Sequence, residues 1–321
     1  MAQARQEASS KSSRCHLTEI SHDELGVIFD GLADPLEPVV AVALSSTCLG
    51  LRTPLRAARL ALEERRARAV ALCNKKGMSC QELRDEKELD WCLRGIIADD
   101  MHALGMILRT SSLPKLKRLF LTCDDFGDEG VQAVCAGLGH GTACTLTTLS
   151  LEGEVQGFGP AGAEALAAAL SSGALAKLEE LHIGRNHIGG RGAAALAKPL
   201  RKLPALASLD LGETGIDDEG LGSLLAGLDK NHFKALTNCY LDGNELTDAG
   251  CAKLISALQA GALPALRNLD SPMSVVVHGR FCKRVSEEMR YALAAAIVSR
   301  DDAMAATVEV RDQCGNQEEP E

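Results

Sequence analysis

Large aromatic side chains are scarce: one Trp, two Tyr and six Phe make up 3% of 321 residues. That scarcity excludes a single large aromatic-lined pocket. Positive charge is also in deficit, with 34 Lys+Arg against 44 Asp+Glu and a formal net charge of −10. A nucleic-acid backbone or an anionic membrane surface is therefore a poor main partner, and a protein with a basic surface is a better one. Long apolar runs are missing as well. The opening MAQARQEASSKSSRC is polar and charged, with no secretory h-region after it, and the uncharged stretch Val131–Leu151 is broken by Gln, His, Gly and Thr. Neither segment reads as a membrane helix, and the expected compartment is a reducing cytosol or nucleus. The 12 cysteines form no CxxC pair and the histidines show no metal-ligand spacing, so neither metal nor cofactor is expected and most thiols are read as buried.

Leucine, alanine and glycine are present instead, in a repeat. Leu-x-x-Leu-x-Leu, with Ile allowed at its last place, begins at Leu116, Leu146, Leu178 and Leu206. Cys239 replaces the second Leu of the copy at Leu236, and a truncated copy starts at Leu266; the steps are 30, 32, 28, 30 and 30 residues. Leu-x-Leu alternation predicts a short half-buried strand. Each strand is followed by a turn and then an apolar helix, such as GAEALAAAL from Gly162 and GCAKLISAL from Gly250, with one buried face. Such a unit cannot close a core alone but buries its faces against its neighbours. Eight places after the first Leu, Asn186 and Asn244 stand where a side-chain amide satisfies backbone groups leaving the strand.

These residues resemble the ribonuclease-inhibitor-like leucine-rich repeats over about residues 98–271, with a departure around 152–160, where Phe158 falls two places late. The resemblance implies an α/β fold: a right-handed curved solenoid with parallel strands inside and helices outside. A polar tail (1–16), a helical module (17–97) and a carboxy-terminal cap (272–311) with a tail (312–321) complete the expected organisation. In the cap, a strand is expected at Ser274–His278 and a helix from Ser286 to about Ser299.

In the amino-terminal module, Leu25, Ile28, Phe29 and Leu32 share one helical face, with Ser21 or Asp23 as cap and Gly31 and Asp34-Pro35 as stop. A second helix is expected from Pro38 to about Thr47. Residues 53–95 are read as further helix, with Trp91 as a packing anchor. Glu24-Leu25, Ile28-Phe29, Leu32 and Cys48 are similar to an F-box, although Ile20-Ser21 and Leu51 depart from its pattern. That resemblance implies docking of a Skp-type adaptor by Leu25, Ile28, Phe29 and Leu32, and so a substrate receptor of an SCF-type ubiquitin ligase. The alternative for the module is a plain cap over the first repeat.

With the leucines pointing inward, the interleaved residues line the concave face. Phe120, His182, Arg185, Asp210, Glu213, Tyr240, Asp242 and Asp270 are the candidate protein-binding residues, aromatic anchors among carboxylates that suit a basic partner. No nucleophile shares the geometry of His182 and His187, so no catalytic residue is expected and the chain is read as a binding protein. Two other readings stay open: a regulator of a small GTPase like the Ran GTPase-activating proteins, which use similar repeats, with Arg185 and Asn186 as candidates, and a non-enzymatic scaffold.

Overall fold

Six three-residue strands pair in parallel, in chain order, into one sheet: β1 (Glu88–Asp90), β2 (Arg118–Phe120), β3 (Thr148–Ser150), β4 (Glu180–His182), β5 (Ser208–Asp210) and β6 (Asn238–Tyr240). The computed structural model describes residues 21–46, 51, 53–92, 95–110, 112–122, 126–140, 145–153, 157–269 and 284–298. The register is constant, with Leu89, Leu119, Leu149, Leu181, Leu209 and Cys239 aligned across the sheet. All six are buried, and the residues on either side of each face the opposite way. Parallel strands lie about 4.8 Å apart and packed helices about 8–10 Å apart, so a strand–helix tandem curves with its sheet on the inside. The fold is the expected α/β leucine-rich-repeat solenoid.

The helices are α1 (His22–Leu32), α2 (Val39–Ser46), α3 (Arg56–Lys75), α4 (Cys80–Asp85), α5 (Ala98–Arg109), α6 (Gly127–His140), α7 (Pro160–Ser171), α8 (Gly189–Leu200), α9 (Asp218–Leu225) and α10 (Asp248–Gln259). Another helical stretch spans 287–298. Repeat glycines sit in the first turn of their helices because the preceding apolar residue folds back on them. A Cβ on Gly162 would meet the Phe158 side chain at 2.8 Å. At Gly250 the obstacle is Asp218 Oδ1, 2.1 Å from where a Cβ would stand.

That aspartate belongs to a ladder. Asp218, in the first turn of α9, accepts from the Thr247 N–H at 2.9 Å and the Thr247 hydroxyl at 2.5 Å, at the start of α10. Asp128 in α6 accepts from the Gly159 and Gly162 N–H groups at 2.8 and 2.7 Å at the start of α7. Asp248 in α10 accepts from Ser286 at 2.8 Å. Each carboxylate satisfies orphan donors of the following helix and lies at the positive end of its dipole. A parallel bridge between Thr247 and Arg284 brings the last helical stretch into the same series.

A second ladder runs the other way. Asn186, fully buried, donates to Leu151 O at 2.8 Å and Ile183 O at 2.9 Å and accepts from the Phe158 N–H at 2.9 Å. Asn244 donates to Leu211 O and Leu241 O at 2.7 and 2.9 Å and accepts from Thr214 and Ile216. Both are the structural residues that their place in the repeat predicts. The late Phe158 causes no slip of the sheet: β3 keeps the common register, and Phe158 takes the buried place beside Phe126, the rings tilted by 32° with centroids 6.4 Å apart.

One expectation is overturned. Residues 53–95 are not helix throughout, because β1 lies among them and forms the first strand of the sheet. Leu89 occupies the place of Leu119 and Trp91 that of Leu121, while Glu86 stands where the leading Leu would be, which hides the unit from a consensus search. Trp91 is 2% exposed, joins the core that continues into the repeats, and has Lys76 Nζ 5.5 Å from its ring centre. It is the packing anchor expected of it. The expected strand at 274–278 lies outside the described residues.

Candidate functional site

The floor of the concave face is set by two positions per strand. Its first column reads Glu88, Arg118, Thr148, Glu180, Ser208 and Asn238, and its second Asp90, Phe120, Ser150, His182, Asp210 and Tyr240. Thr148, Ser150 and Ser208 are almost covered, so the larger side chains of neighbouring strands close over them. Thr148 donates to Glu180 Oε2 at 3.2 Å, and Arg118 Nε to Glu88 at 2.9 Å.

At the centre, Glu152, His182 and Asp210 come from three successive units, and one potential ligand atom from each lies within 4.8 Å of the others. Burial raises the Asp210 carboxyl above its ordinary range, and the nearby Glu152 and Asp242 carboxylates add to the rise. The Gly212 N–H, 2.8 Å from Asp210 Oδ1, and His182 oppose it. Tyr240 on the next strand is raised too, by burial and then by Asp210. His182 Nε2 is 3.8 Å from Glu180 Oε2.

The structure thus brings together His182, Asp210, Tyr240 and Asp242. Arg185 and Glu213 sit in equivalent turns with left-handed backbones (φ 58° and 54°), both exposed, and face one another at 3.9 Å. Their charges offset each other at the rim. Phe120 is half-buried on β2, two strands from His182, and so belongs to a separate part of the face. Asp270 lies outside the described residues. Asn186 is enclosed, which removes it from any contact with a GTPase.

The head differs from expectation. Leu25 and Phe29 are 2% and 0% exposed, enclosed with Ala33, Ala41, Leu51, Leu55 and Leu62 in a small core of their own. They hold the module together and cannot touch an adaptor; Ile28 is half-buried and Leu32 is 38% exposed. Among the described residues the head exposes Val27, Leu32, Val39, Val40 and Leu60.

Sequence reasoning missed Glu88 and Asp90 as lining residues and the convergence of Glu152 on His182 and Asp210. Stepping back 30 residues from Leu116 reaches Glu86 and the β1 unit. No sequence spacing signals the triad, since its members lie 30 and 28 residues apart.

The sheet, its helices and this face define an α/β leucine-rich-repeat solenoid. The leucine-rich repeat family profile matches residues 174–197 and 204–225. The chain is 32% identical over 185 residues to the mouse (Mus musculus) ribonuclease inhibitor, covering 57% of this chain and 38% of that protein. It is 34% identical over 145 residues to the human NACHT, LRR and PYD domains-containing protein 12, covering 44% of this chain and 13% of that one. The repeats are similar to those of the ribonuclease inhibitor, and the chain spans well under half the length of these relatives. Among solved structures, the TLR13–ssRNA13 complex aligns over 61% of this chain and 34% of its own, at 16% identity and a TM-score of 0.28. Among the described residues no helix is long and apolar enough to cross a membrane.

Proposed function

We propose that the chain binds a protein partner with a basic surface on the concave face of strands β3 to β6. The observation that carries this is the half-buried carboxylate cluster of Glu152, Asp210 and Asp242, held where like charges oppose one another. A Lys or Arg side chain entering the face relieves that repulsion, and Tyr240 beside it supplies apolar contact. The relatives named ribonuclease inhibitor give one defined ligand to try, a ribonuclease. The test compares wild type with Asp210→Lys plus Asp242→Lys in affinity capture from a native extract and in direct titration with that ribonuclease. The double variant loses the wild-type partner, and wild-type capture weakens as salt is raised. An unchanged set of partners sinks the reading.

A second, compatible role is adaptor docking by the head, which would make the chain a substrate receptor of an SCF-type ubiquitin ligase in the cytosol or nucleus. Its support is the exposed apolar set Val27, Leu32, Val39 and Val40. Wild-type chain then retains a Skp-type adaptor in a pull-down, and Val27→Asp plus Val40→Asp does not. Failure of the wild type to retain the adaptor leaves the head as a cap for the solenoid.

A further inference from the structure

We propose that Glu152, His182 and Asp210 form a binding site for a divalent transition-metal ion, Zn2+ by their chemistry, on the floor of the concave face. One imidazole and two carboxylates are a mixed nitrogen–oxygen donor set that suits Zn2+ over the all-oxygen cations Ca2+ and Mg2+. Each donor comes from a different repeat: His182 and Asp210 stand on β4 and β5, and Glu152 follows β3 by two residues, between Leu151 and Gly153, whose N–H groups donate to His182 O and Gly184 O. Zn2+ holds such ligands at about 2.0–2.2 Å. Atoms already within 4.8 Å of one another share one ion by closing to about 3.4 Å, the ligand–ligand spacing of a tetrahedral site with bonds of that length.

The surroundings are built to keep that place open and negative. A Cβ on Gly184 would stand 3.2 Å from both Asp210 carboxylate oxygens, so glycine leaves the room that carboxylate occupies. The Gly212 N–H fixes Asp210 Oδ1 at 2.8 Å, orienting the group in the manner of an outer-shell donor. Among the described residues no salt bridge joins a Lys or Arg to Glu152 or Asp210. Two carboxylates in a partly buried place without a counter-cation are what a divalent ion neutralises. Three protein ligands leave a fourth position toward the open face for water or a partner's side chain.

The site does not rest on the protein-partner reading: the ion and a partner's basic side chain would compete for Glu152 and Asp210, and Zn2+ binding is measured with no partner present. The test is titration of the full chain with Zn2+ by calorimetry, beside His182→Gln, Asp210→Asn and the rim control Glu213→Gln, each checked for native circular dichroism. Wild type and the control bind one ion at this site, and the two ligand variants lose at least the about 10–100-fold that removal of an outer-shell partner costs, or do not bind it at all. Zn2+ also raises the thermal midpoint of wild type and not that of His182→Gln. Absence of Zn2+ binding by wild type overturns the proposal. So does binding undiminished in both ligand variants, which places the ion elsewhere on the chain.

Discussion

At the scale of single residues, the repeat shows what a few side chains do beyond filling space. Asn244 is 5% exposed and serves two backbone carbonyls and the Thr214 and Ile216 N–H groups. In Asn244→Ala, Leu211 O keeps the Thr214 hydroxyl, but the buried Thr214 and Ile216 N–H groups lose their shared acceptor, a loss of about 1–3 kcal/mol for each. Urea denaturation reads it, and a midpoint within error of wild type would contradict the ladder. Cys239, where the consensus has leucine, borders a cavity of ≈ 40 Å³ among Leu209, Leu221, Leu241 and Leu254. Cys239→Leu fills it and stabilises by about 0.5–2 kcal/mol; a lower midpoint would mean that the space is overpacked. The asparagines and the strand leucines were legible in the sequence because each repeats a backbone need at fixed spacing. The Glu152–His182–Asp210 set was not, because its members are neighbours only through the parallel register. The burial of Leu25 and Phe29 was hidden for a different reason: an amphipathic face shows that residues are covered, not by what.

At the scale of elements, aspartates link α7 to α6, α10 to α9 and the last helical stretch to α10, and the α9–α10 link is acid-sensitive. Burial works to raise the Asp218 carboxyl, but hydrogen bonds from Thr247 and Gly250 and the charge of Lys253 outweigh it and hold the group below its ordinary 3.8. A carboxyl whose pKa is lower in the folded than in the unfolded chain stabilises above its unfolded value, and the contribution is lost as pH falls through the folded one. Asp218→Asn is therefore less stable than wild type at pH 6, and the gap closes as pH drops below about 4. Denaturation midpoints at several pH values check this; a gap of constant size would show that the charge contributes nothing. The β1 unit belongs to this scale too. Glu86 and Trp91 replace two of its three leucines, which hides the strand from the Leu-x-x-Leu-x-Leu pattern; the 30-residue step back from Leu116 and the pairing of Leu89 with Leu119 reveal it.

At the scale of the whole molecule, one core runs from Leu36 through every repeat to Leu293, while a separate small cluster holds α1, α2 and the start of α3. Two cores of such unequal size open at different free energies. Phe29→Ala accelerates hydrogen exchange in α1 and α2 while the amides of β2 to β6 keep their protection; acceleration throughout the sheet would show one cooperative unit. The junction between the β5 and β6 units carries both ladders at once: Asp218 reaches forward to Thr247, and Asn244 reaches back to Leu211 and Thr214. A break there strands donors on one side and carbonyls on the other, whichever half is kept. This array has no natural seam at that point, so a shortened version ending after the β5 unit inherits an unsatisfied edge that a new capping sequence would have to cover.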